Sequence, residues 1–259
     1  MLTEESLRTP QFLLCIENVR NAMLKHKTLM QEASDIVQET CANGTKLNLQ
    51  MCLSVKTQPK HEVLLVAKEL GYIAECITMA EVRASLRAGY DMQNIILTGP
   101  GKFWDTLDSD AFMKKSFDEQ DGVPSLGAIF ADSIADLRTI LRRIKNDNDW
   151  LKADLVGVRF QVALSNSRFG VDVHNLGFLA AAGELIKRHL DPSIRIGVHL
   201  HYAATAPGTG LLKWYGLAEA NAIIGNDFAK LCGRSKIDTI DFGGGLPPHM
   251  VDNVDSVSN

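Results

Sequence analysis

Lys56 is the residue of this sequence whose type and position most clearly suggest a chemical role. It lies at the end of an alternating apolar segment. Every second residue before it is apolar, a spacing typical of a half-buried β-strand: Leu49, Met51, Leu53 and Val55. We predict a strand over 47–56 and a helix over 61–70. Pro59 lies between them and cannot continue the strand. In an α/β barrel the carboxyl end of a strand faces the ligand. A partly desolvated lysine there can attack a carbonyl to form a Schiff base; a solvated loop lysine is the alternative.

Three consecutive glycines, Gly243, Gly244 and Gly245, follow a predicted strand over 236–242. Because glycine has no Cβ, backbone N–H groups in such a run can close on an anion. In barrels a phosphate often binds at the loops after strands seven and eight. This run follows the seventh predicted barrel strand, so it predicts a phosphate site, with a plain glycine turn as the alternative.

Two histidines, His199 and His201, alternate along a predicted strand over 194–202 and therefore share a face. They could be core residues, or a metal pair if further ligands were present. No other strand end supplies a clear set of such ligands, so we predict no metal site. An imidazole at a barrel mouth could instead stack on an aromatic ligand.

Three charged residues complete the candidates. Glu75 and Glu81 lie at the end of a predicted strand over 72–78 and just beyond it. Near a lysine they would stabilise its charge or hydrogen-bond a cofactor, and ordinary solvated carboxylates are the alternative. Arg159 lies within a predicted strand over 154–161, where a buried arginine must be paired. We therefore expect Arg159 to belong to a polar network at the mouth.

The elements that must position these residues form a repeating strand–helix pattern. A short strand over 13–16 and a helix over 17–40 come first. The seven predicted barrel strands are 47–56, 72–78, 94–98, 126–132, 154–161, 194–202 and 236–242. Helices follow several of them, over 61–70, up to Gly89, and from a Ser133 cap to Lys145. Such alternation indicates parallel βα units and a barrel. No eighth strand is evident, so either one escapes the pattern, or a longer product or another chain supplies it.

Size and composition limit the function classes. The chain has 259 residues, 46% of them hydrophobic, and a net charge of −4, which gives no hint of a nucleic-acid surface. We interpret the basic cluster over 138–145 as the solvated side of a helix. No apolar run approaches a membrane span, and no signal peptide is evident. Five cysteines without CxxC spacing predict reduced thiols in an intracellular protein.

Taken in order, these motifs resemble the fold-type III pyridoxal-phosphate (PLP) decarboxylases that act on ornithine, diaminopimelate and arginine. The resemblance covers nearly the whole chain. Its segments are 9–12 and 18–20 (entry), 54–59 (Schiff-base lysine), 75–81 (similar to the family's acidic-x-x-Ser-x-x-Glu, with Glu75 for the usual aspartate), 95–102 (third strand), 167–170 (Ser-Arg-Phe-Gly, similar to the family's Ser-Lys-Phe-Gly), 198–201 and 241–247. It implies a TIM-type (β/α)8 barrel of the alanine racemase-like kind, incomplete here, with residues 1–259 as one PLP-binding domain.

The resemblance also implies a chemistry. Lys56 would hold the aldehyde of pyridoxal 5'-phosphate as a Schiff base, and His201 would stack on its ring; both would be catalytic. The glycine run 243–245 would bind the phosphate, within a polar network of Glu75, Glu81 and Arg159. The reaction implied is loss of the α-carboxylate of a basic amino acid as CO2. A cytoplasmic homodimer in polyamine or lysine metabolism is implied as well, without nucleic-acid or membrane partners.

The sequence departs from the family pattern in three places. Ala204 stands where the family has a phosphate-binding serine. The Glu-Pro-Gly-Arg strand, whose glutamate pairs with the pyridine nitrogen, and the carboxyl-terminal β domain are not found. These departures leave a non-catalytic relative that binds a protein partner, or an inactive fragment, as the alternative. A racemase on the same barrel is a third possibility, against which the glycine run speaks.

Overall fold

The computed structural model describes residues 14–40, 48–100, 102, 125–146, 149, 151–161, 169–201 and 210–244. The helices are α1 (Ile16–Thr40), α2 (His61–Glu69), α3 (Met79–Arg87), α4 (Ile134–Lys145), α5 (Leu176–His189) and α6 (Gly210–Leu231). The strands are β1 (Cys52–Ser54), β2 (Ile73–Cys76), β3 (Ile95–Leu97), β4 (Ser125–Leu126), β5 (Ala128–Ala131), β6 (Lys152–Ala153), β7 (Leu155–Gln161), β8 (Val171–Asp172), β9 (Arg195–His201) and β10 (Thr239–Gly243).

One parallel sheet dominates the molecule, with the strand order β1-β2-β3-β5-β7-β9-β10, and β8 adds to the end of β7. The two short strands β4 and β6 pair separately. The large sheet curls into an open half-barrel surrounded by helices, so the predicted incomplete α/β barrel is confirmed. The seven strands in this path are the seven predicted from the sequence, although most of them are shorter than predicted.

Paired residues of parallel strands share a face of the sheet. The two faces of this sheet differ in character. The outer face is apolar and packs on the helices, as Val156 and Val198 show by clustering with Leu137, Ile186 and Phe228. On the inner face, Phe130 fills the floor with Ala128, Leu155 and Ile96. A Cβ on Gly157 would lie 2.3 Å from the Phe130 ring, so this floor requires a glycine beside the phenyl group.

Side-chain caps fix the starts of two helices that follow barrel strands. Thr78 Oγ1 accepts from the Glu81 N–H at 3.3 Å, and Ser133 Oγ, the predicted cap, accepts from the Asp136 N–H at 3.1 Å. Both follow the usual N-cap pattern. The prediction that the basic residues of α4 are solvated is wrong at one position. Arg143 is buried and forms an ion pair with Asp149 at 3.3 Å.

Several other predictions need correction. The predicted strand over 13–16 is wrong, since Ile16 begins α1 and Leu14 and Cys15 form no strand. The predicted strand 126–132 is divided at Gly127, whose N–H donates to the Met92 and Ile95 carbonyls at 3.2 and 3.1 Å. Helices α5 and α6 and strands β6 and β8 were not predicted. No helix within the described ranges has the length and apolarity needed to span a membrane.

Candidate functional site at the carboxyl end of the sheet

Lys56 lies in a short 3-10 turn, Val55–Thr57, directly after β1. This places it beyond the carboxyl end of the strand, and not within the strand as predicted. The expected partial desolvation is also not observed, because the side chain is exposed. Within the described part of the chain no carboxylate forms an ion pair with it. Its positive charge nevertheless acts on His201, at the far side of the strand order.

His201 ends β9 and is partly buried. Burial lowers the pKa of its imidazole to about 4, and the positive charges of Lys56, Arg159 and His199 act in the same direction, against Asp241. The ring is therefore neutral at neutral pH. A neutral imidazole can lie flat against an aromatic ligand or exchange a hydrogen bond without bringing a charge to the site.

The first two predicted glycines each need to be glycine for a different reason. Gly243 pairs with His201 in the sheet, and a Cβ on it would lie 3.0 Å from His201 Nδ1 and 2.7 Å from His199 Cε1. Gly244 has a φ of +121°, which residues with a Cβ rarely adopt. The third, Gly245, lies outside the described residues, as do residues 167–168 and Ala204. The backbone therefore passes close to both histidine rings.

A buried hydrogen bond joins the two last strands beside this glycine. His199 Nδ1 lies 2.7 Å from Asp241 Oδ2, so the imidazole donates to the carboxylate. The His199 side chain is almost fully enclosed, with its ring centroid 5.6 Å from that of Phe130 and 6.3 Å from that of His201. The sequence correctly placed both histidines on one face, but Asp241 was not among its candidates.

Arg159 is paired, as predicted. Its guanidinium lies 3.3 Å from Asp132 Oδ1 and stacks over the Phe169 ring at 5.7 Å. Burial raises the pKa of Asp132, while the charges of Arg159 and Lys102 oppose that change. Lys102, itself buried, donates to Asp136 Oδ2 at 2.6 Å and to the Gly99 carbonyl at 2.7 Å. The polar network at the site thus includes the buried pairs Arg159–Asp132 and Lys102–Asp136.

The two glutamates lie in different surroundings. Glu75 is buried on the inner face, opposite Ser54 in the register, and accepts from Thr98 Oγ1 at 2.9 Å. Glu81 is engaged at the start of α3: its carboxylate accepts from the Ile77 N–H at 2.8 Å and from Thr78 Oγ1 at 3.1 Å. Glu75 therefore belongs to the wall of the half-barrel, whereas Glu81 uses its oxygens to start α3. The cofactor role predicted for each stays a prediction.

The arrangement fits an anionic, aromatic ligand. A backbone cradle without Cβ atoms, a neutral imidazole and an exposed primary amine lie at one end of the sheet, and Arg159 contributes positive charge. Among the described residues no group of three or more His, Cys, Asp or Glu side chains is placed to hold a metal ion. Fold and site together define the class of α/β-barrel proteins with a lysine, a histidine and a glycine run at the carboxyl ends of the strands.

The comparison with family models identifies the family. The model described as "pyridoxal-dependent decarboxylase, pyridoxal binding domain" matches residues 33–258, which is most of the chain. The protein therefore belongs to this family, and the predicted cofactor, pyridoxal 5'-phosphate, is the one that this domain binds. A search of curated protein sequences returned no match.

Solved structures agree on the fold. A protein named AQ1208 from Aquifex aeolicus is 16% identical, with 98% of this chain and 55% of that chain covered and a TM-score of 0.65. A lysine decarboxylase from Selenomonas ruminantium is 18% identical (95% and 56% covered, TM-score 0.61). A diaminopimelate decarboxylase from Helicobacter pylori, complexed with L-lysine, is 16% identical (91% and 54% covered, TM-score 0.58). The chain thus spans about half the length of these structures.

Proposed function

We propose that this chain is the cofactor-binding barrel of a PLP-dependent decarboxylase of basic amino acids. The observation that carries the proposal is that Lys56, His201 and Gly243 all lie at the carboxyl ends of strands of one parallel sheet. The family assignment supports the cofactor. No observation on the described residues favours the alternative of a non-catalytic relative.

The residues would divide the work as follows. Lys56, exposed and without a carboxylate partner among the described residues, would supply the primary amine that attaches the cofactor aldehyde. The backbone N–H groups of Gly243 and Gly244 would hold the phosphate. His201 would present its neutral ring to the pyridine, and Arg159, Glu75 and Glu81 would belong to the surrounding polar shell, Glu81 from its position at the start of α3. When bound, pyridoxal phosphate supplies the electron sink for loss of the α-carboxylate.

The substrate class rests on the neighbours. Two of the similar structures are named for lysine and diaminopimelate decarboxylation, and both substrates carry a second amino group. We therefore propose a diamino acid such as lysine, ornithine or diaminopimelate, or arginine. We further propose that residues 1–259 act as one domain of a cytoplasmic homodimer, as the family resemblance implies, with a role in polyamine or lysine metabolism.

The attachment site can be tested by trapping. The protein is mixed with pyridoxal phosphate, reduced with borohydride, digested, and the labelled lysine located by mass spectrometry. We expect the label on Lys56, no label in Lys56→Ala, and full labelling in Lys60→Ala, because Lys60 is an exposed lysine four residues away. Labelling spread over several surface lysines, or unchanged in Lys56→Ala, would contradict the proposal.

The reaction is tested on the full-length gene product. Release of 14CO2 is measured from carboxyl-labelled lysine, ornithine, diaminopimelate and arginine, with Lys56→Ala as the control. We expect release from at least one of these substrates and none from the variant. A protein that binds the cofactor yet releases CO2 from none of them would refute the decarboxylase and support the non-catalytic alternative.

A further inference from the structure

A hydrogen-bonded pair beneath the site, Asp241 and His199, has no part in the functions assigned so far. The two residues face each other on the adjacent strands β10 and β9, in register, with 2.7 Å between Oδ2 and Nδ1. The His199 side chain is 1% exposed. Such a bond between a carboxylate and an enclosed imidazole fixes both the orientation of the ring and which nitrogen carries the proton.

The adjoining edge of the same ring, from Cε1 to Nε2, rests against Gly243. A Cβ on Gly243 would lie 2.7 Å from His199 Cε1 and 3.4 Å from His199 Nε2. Asp241 stands two residues before Gly243 on the same strand, so both face the inner side of the sheet. The imidazole therefore touches β10 at two points, through a hydrogen bond at Asp241 and through packing at Gly243.

This double contact matters because of where β10 lies. Within the described sheet β10 pairs with β9 alone, over Thr239–Gly243. The end of a strand held on one side frays more easily than one held on both. The glycine run begins where this pairing ends, at the pair Gly243–His201. A side-chain hydrogen bond close to that point restrains the position of Gly243 and Gly244 relative to the His201 ring.

We propose that Asp241 and His199 are positioning residues that hold the glycine run in place for the cofactor phosphate. This inference rests on the proposed function. Neither residue has to touch the cofactor, because the pair acts through the backbone of β10.

The chain contains a matched control on the same segment. Asp238 also binds β9, through its Oδ2, which accepts from the Ile196 N–H at 2.8 Å. It lies before β10, at the end of the strand away from the glycine run. A variant of Asp238 therefore loses a carboxylate contact between the same two segments without disturbing the proposed cradle.

The experiment compares Asp241→Ala, Asp241→Asn and Asp238→Ala with the wild type, using pyridoxal phosphate as the probe in an absorbance titration. We expect the Kd of Asp241→Ala to rise about tenfold or more, the size of one lost charge-assisted hydrogen bond. Asp241→Asn keeps an acceptor and should fall between Asp241→Ala and the wild type. Asp238→Ala should stay within about threefold of the wild type, as expected when no contact to the probe is lost.

A second readout needs no cofactor. Amide hydrogen exchange in the unliganded protein should accelerate at Gly243 and Gly244 in Asp241→Ala, and not in Asp238→Ala. Equal Kd values for Asp241→Ala and the wild type, or equal effects of the two alanine variants on both readouts, would overturn the inference. A wild type that does not bind the cofactor would contradict the proposed function instead, and the exchange measurement would still decide the positioning role.

Discussion

Single atoms define the site at the residue scale, and Gly243 is the clearest case. Its missing Cβ leaves room for the rings of His199 and His201. The sequence predicted a need for glycine here from the run of three, on the ground that backbone must approach an anion. The structure adds a second reason, close packing against two imidazoles, which depends on the register of β10 against β9 and could not be seen in the sequence.

Gly243→Ala should damage both stability and cofactor binding. We expect the free energy of unfolding to fall by about 1–3 kcal/mol, because the added methyl group would lie too close to the His199 and His201 rings. The control is Gly216→Ala in α6, where a Cβ meets nothing within 4 Å; it should gain up to about 1 kcal/mol from helix propensity. Urea denaturation measures both variants. An unchanged unfolding free energy for Gly243→Ala would show that the two rings have room to move.

His201 should make stability depend on pH. The pKa of its imidazole is lowered to about 4 in the folded protein, below the usual value near 6.5, so the unfolded chain binds the proton more readily. The contribution of His201 to stability is therefore complete above about pH 6.5 and is lost as the pH falls toward 4. The unfolding free energy, measured by urea titration across this range, should decline less steeply in His201→Gln. Identical slopes in both proteins would contradict this assignment.

At the scale of elements, the loop after β3 is tied to the start of α4 by a buried ion pair. Lys102 Nζ lies 2.6 Å from Asp136 Oδ2, and the same oxygen accepts from the Asp132 N–H at 3.1 Å. Asp132 in turn binds Arg159. The ends of β3, β5 and β7 are thus joined through side chains. These contacts hold Arg159 in position at the carboxyl end of the sheet.

Lys102→Met should be strongly destabilising, because it leaves the Asp136 carboxylate without its buried cation. We expect a loss of about 3–5 kcal/mol in the free energy of unfolding. The matched control is Lys230→Met, which breaks the exposed pair with Asp227 and should cost less than about 1 kcal/mol. Thermal and urea unfolding of both variants provide the measurement. Comparable losses in the two variants would mean that burial adds nothing to the Lys102 pair.

The sequence predicted elements well where their pattern is local. The period of apolar residues located the seven barrel strands, and Ser133 gave the start of α4. The same pattern made the strand before Lys56 too long at both ends: residues 48–51 precede β1, and the 3-10 turn Val55–Thr57 continues the apolar alternation after it. Partners across strands, such as Asp241 for His199 and Asp132 for Arg159, depend on the sheet register, which no local pattern encodes.

At the scale of the whole molecule, the curl of the sheet brings its two ends close enough for a charge at one end to act on a group at the other. Cys52 in β1 and Asp241 in β10 stand at opposite ends of the strand order. Crowding by protein atoms, followed by the negative charges of Asp241 and Glu75, raises the pKa of the Cys52 thiol although part of the side chain is exposed. An open, flat sheet would separate these groups too far for such an effect.

Asp241→Asn should therefore make Cys52 more reactive. Removing the negative charge lowers the thiol pKa and should raise the rate of alkylation at pH 8 by about two- to threefold. Rates are followed by mass spectrometry at the Cys52 peptide, with Asp238→Asn as the control that should leave the rate unchanged. An equal rate in Asp241→Asn and the wild type would indicate that the two ends of the sheet lie further apart.

The most direct test of the central claim is a crystal structure of the protein soaked with pyridoxal phosphate. We expect the cofactor aldehyde carbon bonded to Lys56 Nζ, the ring against His201, and the phosphate within hydrogen-bond distance of the Gly243 and Gly244 backbone N–H groups. A cofactor bonded to another lysine, or one whose phosphate lies away from the glycine run, would contradict it.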